Sequence, residues 1–310
     1  MKVFVTGGAG FIGSHLVDKL IDKGNIVTVY DNLSSGKKQY IKQHLENNNF
    51  SFIQADLLDL KQVKKEIKGH DVVFHIAANP HVRLGEKQTD IDLKYGAIAT
   101  YNVLESMRVN DIKKIVFSSS SVVYGETSEK SLPETYGPAL PISLYGAGKL
   151  ASEGLISAFC GTFDFQAWIY RFANVVGTRC THGVVPDFID KLRKNPKELE
   201  ILGDGKQQKP YLHASDCVNA ILFGFEHSNK SLNLFNIGCD TNTTVTRIAE
   251  IVTEEMGLKS VKFNYTGGKR GWKGDVPRFQ LDASKINQLG WKAKYTSDDA
   301  IRKSIKELLK

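Results

Sequence analysis

Cysteine is scarce in this sequence. Four occur in 310 residues, at positions 160, 180, 217 and 239, with no CxxC pair among them. That spacing suggests neither a zinc site nor a disulfide framework, and no metal is expected. No apolar run reaches membrane-spanning length, so no membrane partner is expected. Charge of one sign is not clustered either. Lys and Arg total 41 against 34 acidic residues, a net charge of +7, but the lysines scatter over predicted helix faces. A nucleic-acid binder would want a basic patch with interleaved aromatics. The reading is therefore no nucleic acid, only a basic surface with some pull on anionic substrates. There is no internal repeat and no low-complexity linker. Residue 1 already enters an apolar run, which leaves no room for a leader; a reduced, cytoplasmic setting is expected. Hydrophobic content of 41% and charge of 24% are ordinary for a globular enzyme with a full core.

The chain is not short of glycine at its start. Lys2 to Thr6 read as a β-rich run, and Gly7, Gly8, Gly10 and Gly13 follow at once. Phe11, Ile12, Leu16, Val17, Leu20 and Ile21 then carry a helical pattern. Strand, glycine turn and helix open a dinucleotide-binding βαβ unit. The first glycine allows the tight turn, the middle one lets backbone approach a pyrophosphate, and Gly13 lets helix sit close to strand. The helix N-terminus offers free N–H groups to phosphates. A second strand, Ile26 to Tyr30, ends in Asp31. An acidic residue there binds both ribose hydroxyls of NAD, and its charge repels the extra phosphate of NADP. Lys37 and Lys38 nearby read as surface charge, so NAD is the expected cofactor.

Phe50 to Gln54 reads as a third strand and Leu60 to Ile67 as a helix. Asp71 to Ile76 is an apolar run of buried-strand type, and the small Ala77 and Ala78 after it leave space for a ligand at the sheet edge. One long helix is predicted over about 90–109, a strand over Lys114 to Ser118, a helix over Tyr145 to Phe159 and a strand over Phe165 to Tyr170. This alternation argues for an α/β fold with a doubly wound parallel Rossmann sheet. After about Arg171 segments shorten and loops lengthen. Residues 1–172 are read as the NAD-binding domain and 173–310 as a smaller mixed α/β substrate-binding domain whose polypeptide crosses back to the sheet. A substrate would sit in the cleft between them.

Tyr145-Gly-Ala-Gly-Lys149 places a phenol and an ammonium at i and i+4, on one helix face. A nearby cation favours the phenolate, which makes tyrosine a usable general base. Four serines, 118 to 121, end the preceding strand, and a serine there can hydrogen-bond a substrate hydroxyl.

Taken together and in this order, these motifs resemble the extended short-chain dehydrogenase/reductases of the NAD-dependent epimerase/dehydratase family, most closely its UDP-glucose 4-epimerase branch. Further matches are Asp31-Asn-Leu-Ser-Ser-Gly36, Ala55-Asp-Leu57, Arg171-Phe-Ala-Asn-Val-Val-Gly177, Tyr211 to Asp216 and Arg270 to Pro277. The resemblance implies that Gly7, Gly10, Phe11, Ile12 and Gly13 lie along the pyrophosphate. It places Asp31, Asn32, Ser35 and Gly36 at the adenosine ribose, Asp56 and Leu57 at adenine, and Ala77 and Ala78 along the cofactor. Tyr145 becomes base and acid, Lys149 holds the nicotinamide ribose and lowers the tyrosine pKa, and Ser120 assists at the sugar. Asn174, Val185 and Phe188 meet the nucleotide sugar, Lys209 the diphosphate, and Arg270 and Asp275 the diphosphate and uridine ribose. The family implies a homodimer through the helices near 90–110 and 145–160. Gly96 departs from the family's usual Asn, so one cofactor contact is missing or supplied by a neighbour.

Related dehydratases carry an Asp-Glu pair directly after the assisting serine; here Ser121 and Val122 stand there. Water loss needs a base at C5 and an acid at the C6 hydroxyl. The expectation is NAD-dependent C4 epimerisation of a UDP-sugar, UDP-glucose/UDP-galactose in type, through a 4-keto intermediate. Other UDP-sugar epimerases (N-acetylhexosamine or uronate), a dehydratase or reductase, and a non-enzymatic NAD-binding scaffold remain open at this point.

Overall fold

The computed structural model describes residues 1–129 and 131–310. At its centre lies a seven-stranded parallel sheet. Six strands come from residues 1–172: β1 (Lys2–Thr6), β2 (Ile26–Asp31), β3 (Phe50–Gln54), β4 (Val72–His75), β5 (Lys114–Ser120) and β6 (Gln166–Phe172). The seventh, Leu232–Ile237, comes from the second half and pairs in parallel with β6. Across the sheet the order is Leu232–Ile237, β6, β5, β4, β1, β2, β3. Successive strands run one way from β1 to β3 and the other way from β4 onward. Strand order thus reverses between β1 and β4, and the crevice at their carboxyl ends is where such sheets bind ligands.

Strands covered on both faces read as continuous apolar runs, and β1 and β4 do. Val3 and Val5 pack on one side with Leu16, Val17 and Leu20 of α1 (Phe11–Asp22). Phe4 and Val73 face the other side. That side holds α2 (Leu60–Glu66), α3 (Ala99–Val109) and α4 (Leu144–Phe163), whose Val63, Val103, Leu104 and Ile156 share the core.

After β6 the chain builds a second layer of packing. α5 (Val184–Lys194) precedes α6 (Ala214–His227), which returns to pack beside α1. α7 (Val245–Glu255), α8 (Ser284–Gln288) and α9 (Ser297–Leu308) follow. A separate core joins Val185 and Phe188 of α5 to Leu199, Ile251 and Ile301.

One expected element is corrected. The helix predicted over about 90–109 is not uniform: Leu93–Ile98 form a π-helical turn that feeds α3. Its cause is a contact with α4. A Cβ on Gly96 would lie 3.2 Å from the Gly148 Cα, and one on Gly148 would lie 2.6 Å from the Asp92 carbonyl oxygen. Two glycines therefore let two backbones touch, and the wider turn accommodates the contact. Among the described residues no helix is long and apolar enough to cross a membrane.

Candidate active site

The glycine turn leaves β1 with Gly7 at φ +69°, a left-handed conformation that costs glycine nothing. A Cβ on Gly13 would sit 2.0 Å from the Gly7 carbonyl oxygen, so the first turn of α1 lies against the loop as the spacing requires. Asp31, at the end of β2, is 8% exposed. Its Oδ2 accepts from the Ala9 N–H at 3.0 Å and its Oδ1 from the Leu33 N–H at 2.8 Å. Burial raises its pKa, and these two N–H groups oppose the rise.

Gly7, Gly10, Phe11, Ile12, Gly13, Asp31, Asn32, Ser35, Leu57, Ala77 and Ala78 all line one cleft of about 1040 Å³. Two expected residues do not line it. Gly36 lies behind Asp31, where a Cβ would meet its carboxylate at 2.9 Å. Asp56 is tied down locally: its Oδ2 accepts from Asn32 Nδ2 at 2.9 Å and from the Tyr95 hydroxyl at 3.1 Å. It braces the loop beside two residues, Asn32 and Tyr95, that do line the cleft.

Tyr145, Lys149 and Ser120 line the same cleft. Ser143 caps α4, accepting from the Gly146 N–H at 3.1 Å, and this fixes where the helix begins. A Cβ on Gly146 would stand 2.8 Å from the Val122 carbonyl oxygen. The glycines between Tyr145 and Lys149 thus let α4 abut the serine turn on one side and the π turn on the other. Ser120 Oγ also accepts from the Val122 N–H at 3.4 Å, capping the 3₁₀ turn Ser121–Tyr124. The Lys149 ammonium donates to the Ser118 carbonyl oxygen at 2.5 Å and lies 5.9 Å from the centre of the Tyr145 ring.

Burial, and after it the negative charge of Asp92, push the Tyr145 phenol above its ordinary value. Burial brings Lys149 down to about 7, against the opposing charges of Glu153 and Asp92. Burial thus disfavours the charged form of both groups. Below Lys149, Glu153 is committed to a buried pair with Arg171, at 2.6 Å, and also accepts from Ser119.

On the opposite wall Asn174, Val185, Phe188, Lys209 and Asp275 line the cleft. Lys209 and Asp275 are bonded to one another. Arg270 is not brought to the cavity. Its guanidinium pairs with Glu126 at 2.6 Å and donates to the Asp275 carbonyl oxygen at 3.0 Å, so it fastens two loops outside. Several lining residues escaped the sequence reading, among them Asn79, His81, Arg83, Arg179 and Gln207. Asn79 to Arg83 follow β4 directly, and the rule that ligands sit at the carboxyl ends of parallel strands could have found them. Two contacts cross the cleft mouth: His81 stacks edge-on to His182 at 5.6 Å, and Arg83 lies 5.7 Å from the Trp272 ring.

Residues 3–238 match the model of the NAD dependent epimerase/dehydratase family. The chain belongs to that family. A putative UDP-glucose 4-epimerase of Methanocaldococcus jannaschii is 35% identical over 98% of this chain and 97% of its own length. A solved UDP-galactose 4-epimerase is 40% identical, with a TM-score of 0.89 over 100% of this chain and 99% of its own. The UDP-glucose 4-epimerase of Thermotoga maritima, solved with UDP-glucose, is 33% identical, with a TM-score of 0.90 over 100% and 99%.

The residues present fit NAD, the family's cofactor. The turn between Gly7 and Gly13 is a cradle that a Cβ would fill. Each Asp31 oxygen accepts a single N–H, which leaves lone pairs for ribose hydroxyls. Farther along this epimerase/dehydratase-family cleft, Asn174 Nδ2, His182 Nδ1 and Gln207 Oε1 are buried without a hydrogen-bond partner. Buried polar atoms are normally satisfied, so these three mark the wall that a polar ligand completes.

Proposed function

We propose that the protein interconverts the C4 epimers of a UDP-sugar of the glucose/galactose type, through a transient 4-keto sugar and with NAD as a resident cofactor. One observation carries the choice of reaction. Tyr145, Lys149 and Ser120 meet in the cleft, while Ser121 and Val122 occupy the places where water loss needs an acid and a base. Glu126, the carboxylate next along the chain, is held by Arg270.

NAD, when bound, supplies the hydride acceptor and donor. The protein's own groups do the rest. The Tyr145 phenolic oxygen takes the proton of the sugar 4-hydroxyl and later returns it. The Lys149 ammonium favours the phenolate and holds the nicotinamide ribose. Ser120 Oγ hydrogen-bonds the reacting hydroxyl and orients it. Lys209 spends one N–H on Asp275 and has two left for a diphosphate, while the second Asp275 oxygen accepts from the Gly271 N–H at 3.2 Å and keeps a lone pair for the uridine ribose. Asn174 Nδ2 donates to the sugar nucleotide, and Val185 and Phe188 pack against it. The diphosphate stays anchored while the keto sugar turns over and takes hydride on its other face. We further propose a homodimer through α3, α4 and the π turn, where Leu93, Ile98, Tyr101 and Leu144 stand exposed.

The test is conversion of UDP-galactose to UDP-glucose by the NAD-loaded protein, followed by NMR. Epimer without net NADH is expected. A 4-keto-6-deoxy product would replace this reading with dehydration. Activity confined to an N-acetylhexosamine or uronate in a parallel panel would replace the sugar.

A further inference from the structure

The loop from Gly267 to Asp275 reaches the cleft, which Gly271, Trp272, Gly274 and Asp275 line. It starts beside the strand Glu198–Ile201, where the Gly267 N–H donates to the Gly203 carbonyl oxygen at 2.9 Å. Gly267 and Gly268 stand at φ +82° and +84°, with nothing within 4 Å of either Cβ position. The base of the loop is thus a left-handed pair in open space, a conformation other residues rarely adopt. Its far end is a closed turn. The Asp275 N–H donates to the Trp272 carbonyl oxygen at 3.2 Å. Asp275 is also the partner of Lys209, so the turn is tied to the side chain that awaits a diphosphate.

The segment after β4 forms the other side of the cleft mouth, and it is held from behind. Asn79 Oδ1 accepts from the His81 N–H at 3.0 Å, and Asn79 Nδ2 donates to the His81 carbonyl oxygen at 3.1 Å. The 3₁₀ turn Val82–Glu86 packs on the start of α4, where a Cβ on Gly85 would lie 3.3 Å from the Leu144 Cβ. Arg83 projects from this braced turn, and its guanidinium lies 5.7 Å from the centre of the Trp272 ring. Among the described residues no carboxylate pairs with Arg83, and the indole is its partner. The ring is backed by its own loop: a Cβ on Gly274 would come 3.1 Å from Trp272 Cζ3. A cation over an indole face is attracted by the ring, the more so as water is excluded. One side of the mouth is therefore braced, the other is hung on two glycines, and a cation–indole contact joins them.

We propose that Arg83 and Trp272 are positioning residues that clasp the cleft shut over the sugar nucleotide, with Gly267 and Gly268 as the hinge on which the Trp272 loop lifts. This rests on the reaction proposed above. A keto sugar that escapes between the two hydride transfers leaves with its C4 oxidised. It leaves behind a reduced cofactor and a protonated Tyr145. The ring has to turn over in place, so contacts to the sugar itself cannot be the same in both orientations. A closed mouth retains it in either.

The experiment is UDP release, by stopped flow from the NAD-loaded protein, for the native chain, Arg83→Met, Trp272→Leu and the two together. A cation on an indole face is worth roughly two- to thirty-fold, and each single variant should release UDP faster by a factor in that range. The double variant should release it no faster than the faster single one, because the same contact is lost in all three. Arg83→Lys keeps the cation and should restore most of the retention. NAD affinity by calorimetry should be unchanged throughout, which a general loosening of the fold would not leave intact. In turnover of a UDP-sugar both single variants should accumulate NADH absorbance and free 4-keto sugar nucleotide. If Trp272→Leu does not fold, Trp272→Phe should show a smaller rise in the same release rate. Unchanged release in the single variants, multiplied effects in the double, or NAD affinity lost along with UDP overturns the proposal. Clasped UDP in a protein that epimerises no UDP-sugar overturns the reaction instead and leaves the clasp standing.

Discussion

Replacing Gly13 by alanine tests the cofactor cradle at its tightest point. The added Cβ would lie 2.0 Å from the Gly7 carbonyl oxygen and 2.9 Å from the Gly8 Cα. Non-bonded carbon contacts settle near 3.5 Å, so α1 has to recede by about 1.5 Å. The obstacle is backbone on both sides, and no side chain can swing away. Overpacking of this kind costs about 1–3 kcal/mol, and the upper end applies here. The same recession takes the α1 N–H groups away from a pyrophosphate. A loss of about 3 kcal/mol in binding is roughly a 100-fold weaker Kd. Calorimetric titration of NAD measures this directly. Gly10→Ala is the graded control: its Cβ would be 3.2 Å from the same oxygen, and a much smaller loss is expected. Gly161, late in α4, has no atom within 4 Å of its Cβ position, and alanine there should add about 0.5 kcal/mol of stability. Native-like NAD affinity in Gly13→Ala would refute the argument that this helix binds by close approach.

Tyr145→Phe should retain NAD affinity and lower turnover by at least about 100-fold, the usual worth of a positioned proton-transfer group; unchanged turnover would remove the phenol from the mechanism. His75 is fully buried between Thr6 and Thr100, and its pKa is driven from 6.5 to about 3. The folded state refuses a proton that the unfolded state accepts, so its stability is intact above pH 6.5 and drains as pH falls toward 3. Urea titrations should show this slope at up to about 1.4 kcal/mol per pH unit, and a shallower one in His75→Gln. Arg171→Met strands the buried Glu153 and should cost about 3–5 kcal/mol, while Arg171→Met with Glu153→Leu should recover most of it in the same denaturation assay. Leu93→Glu with Tyr101→Glu should convert a dimer to monomer in light scattering, and a native mass that is already monomeric would end the dimer proposal.

The strands and the glycine turn were legible because their signals are local. Val3, Phe4 and Val5 are buried on two faces, and an uninterrupted apolar run says so. Tyr145 and Lys149 were legible for the same reason, as neighbours on one helix. The π turn was not, because its cause is a contact between Gly96 and Gly148, far apart in the chain. The burial of Asp92 has no signal in the residues next to it either. Arg270 also needed the structure. Its motif placed it near the diphosphate, but whether a guanidinium reaches a cavity depends on what else it meets, and here it meets Glu126. The phenol's electrostatics needed the structure too, because desolvation depends on everything that surrounds a group.

The strand Leu232–Ile237 is laid outside β6 only after the chain has already left the sheet to build α5 and α6. The central sheet and the separate core around α5 are therefore sewn together by the chain itself. Cutting the gene at residue 172 would not release a free-standing nucleotide module. It would bare the Ala167 to Phe172 backbone of β6 as an unpaired flank, inviting strangers to dock on it. The fragment should be more prone to precipitate than the whole chain.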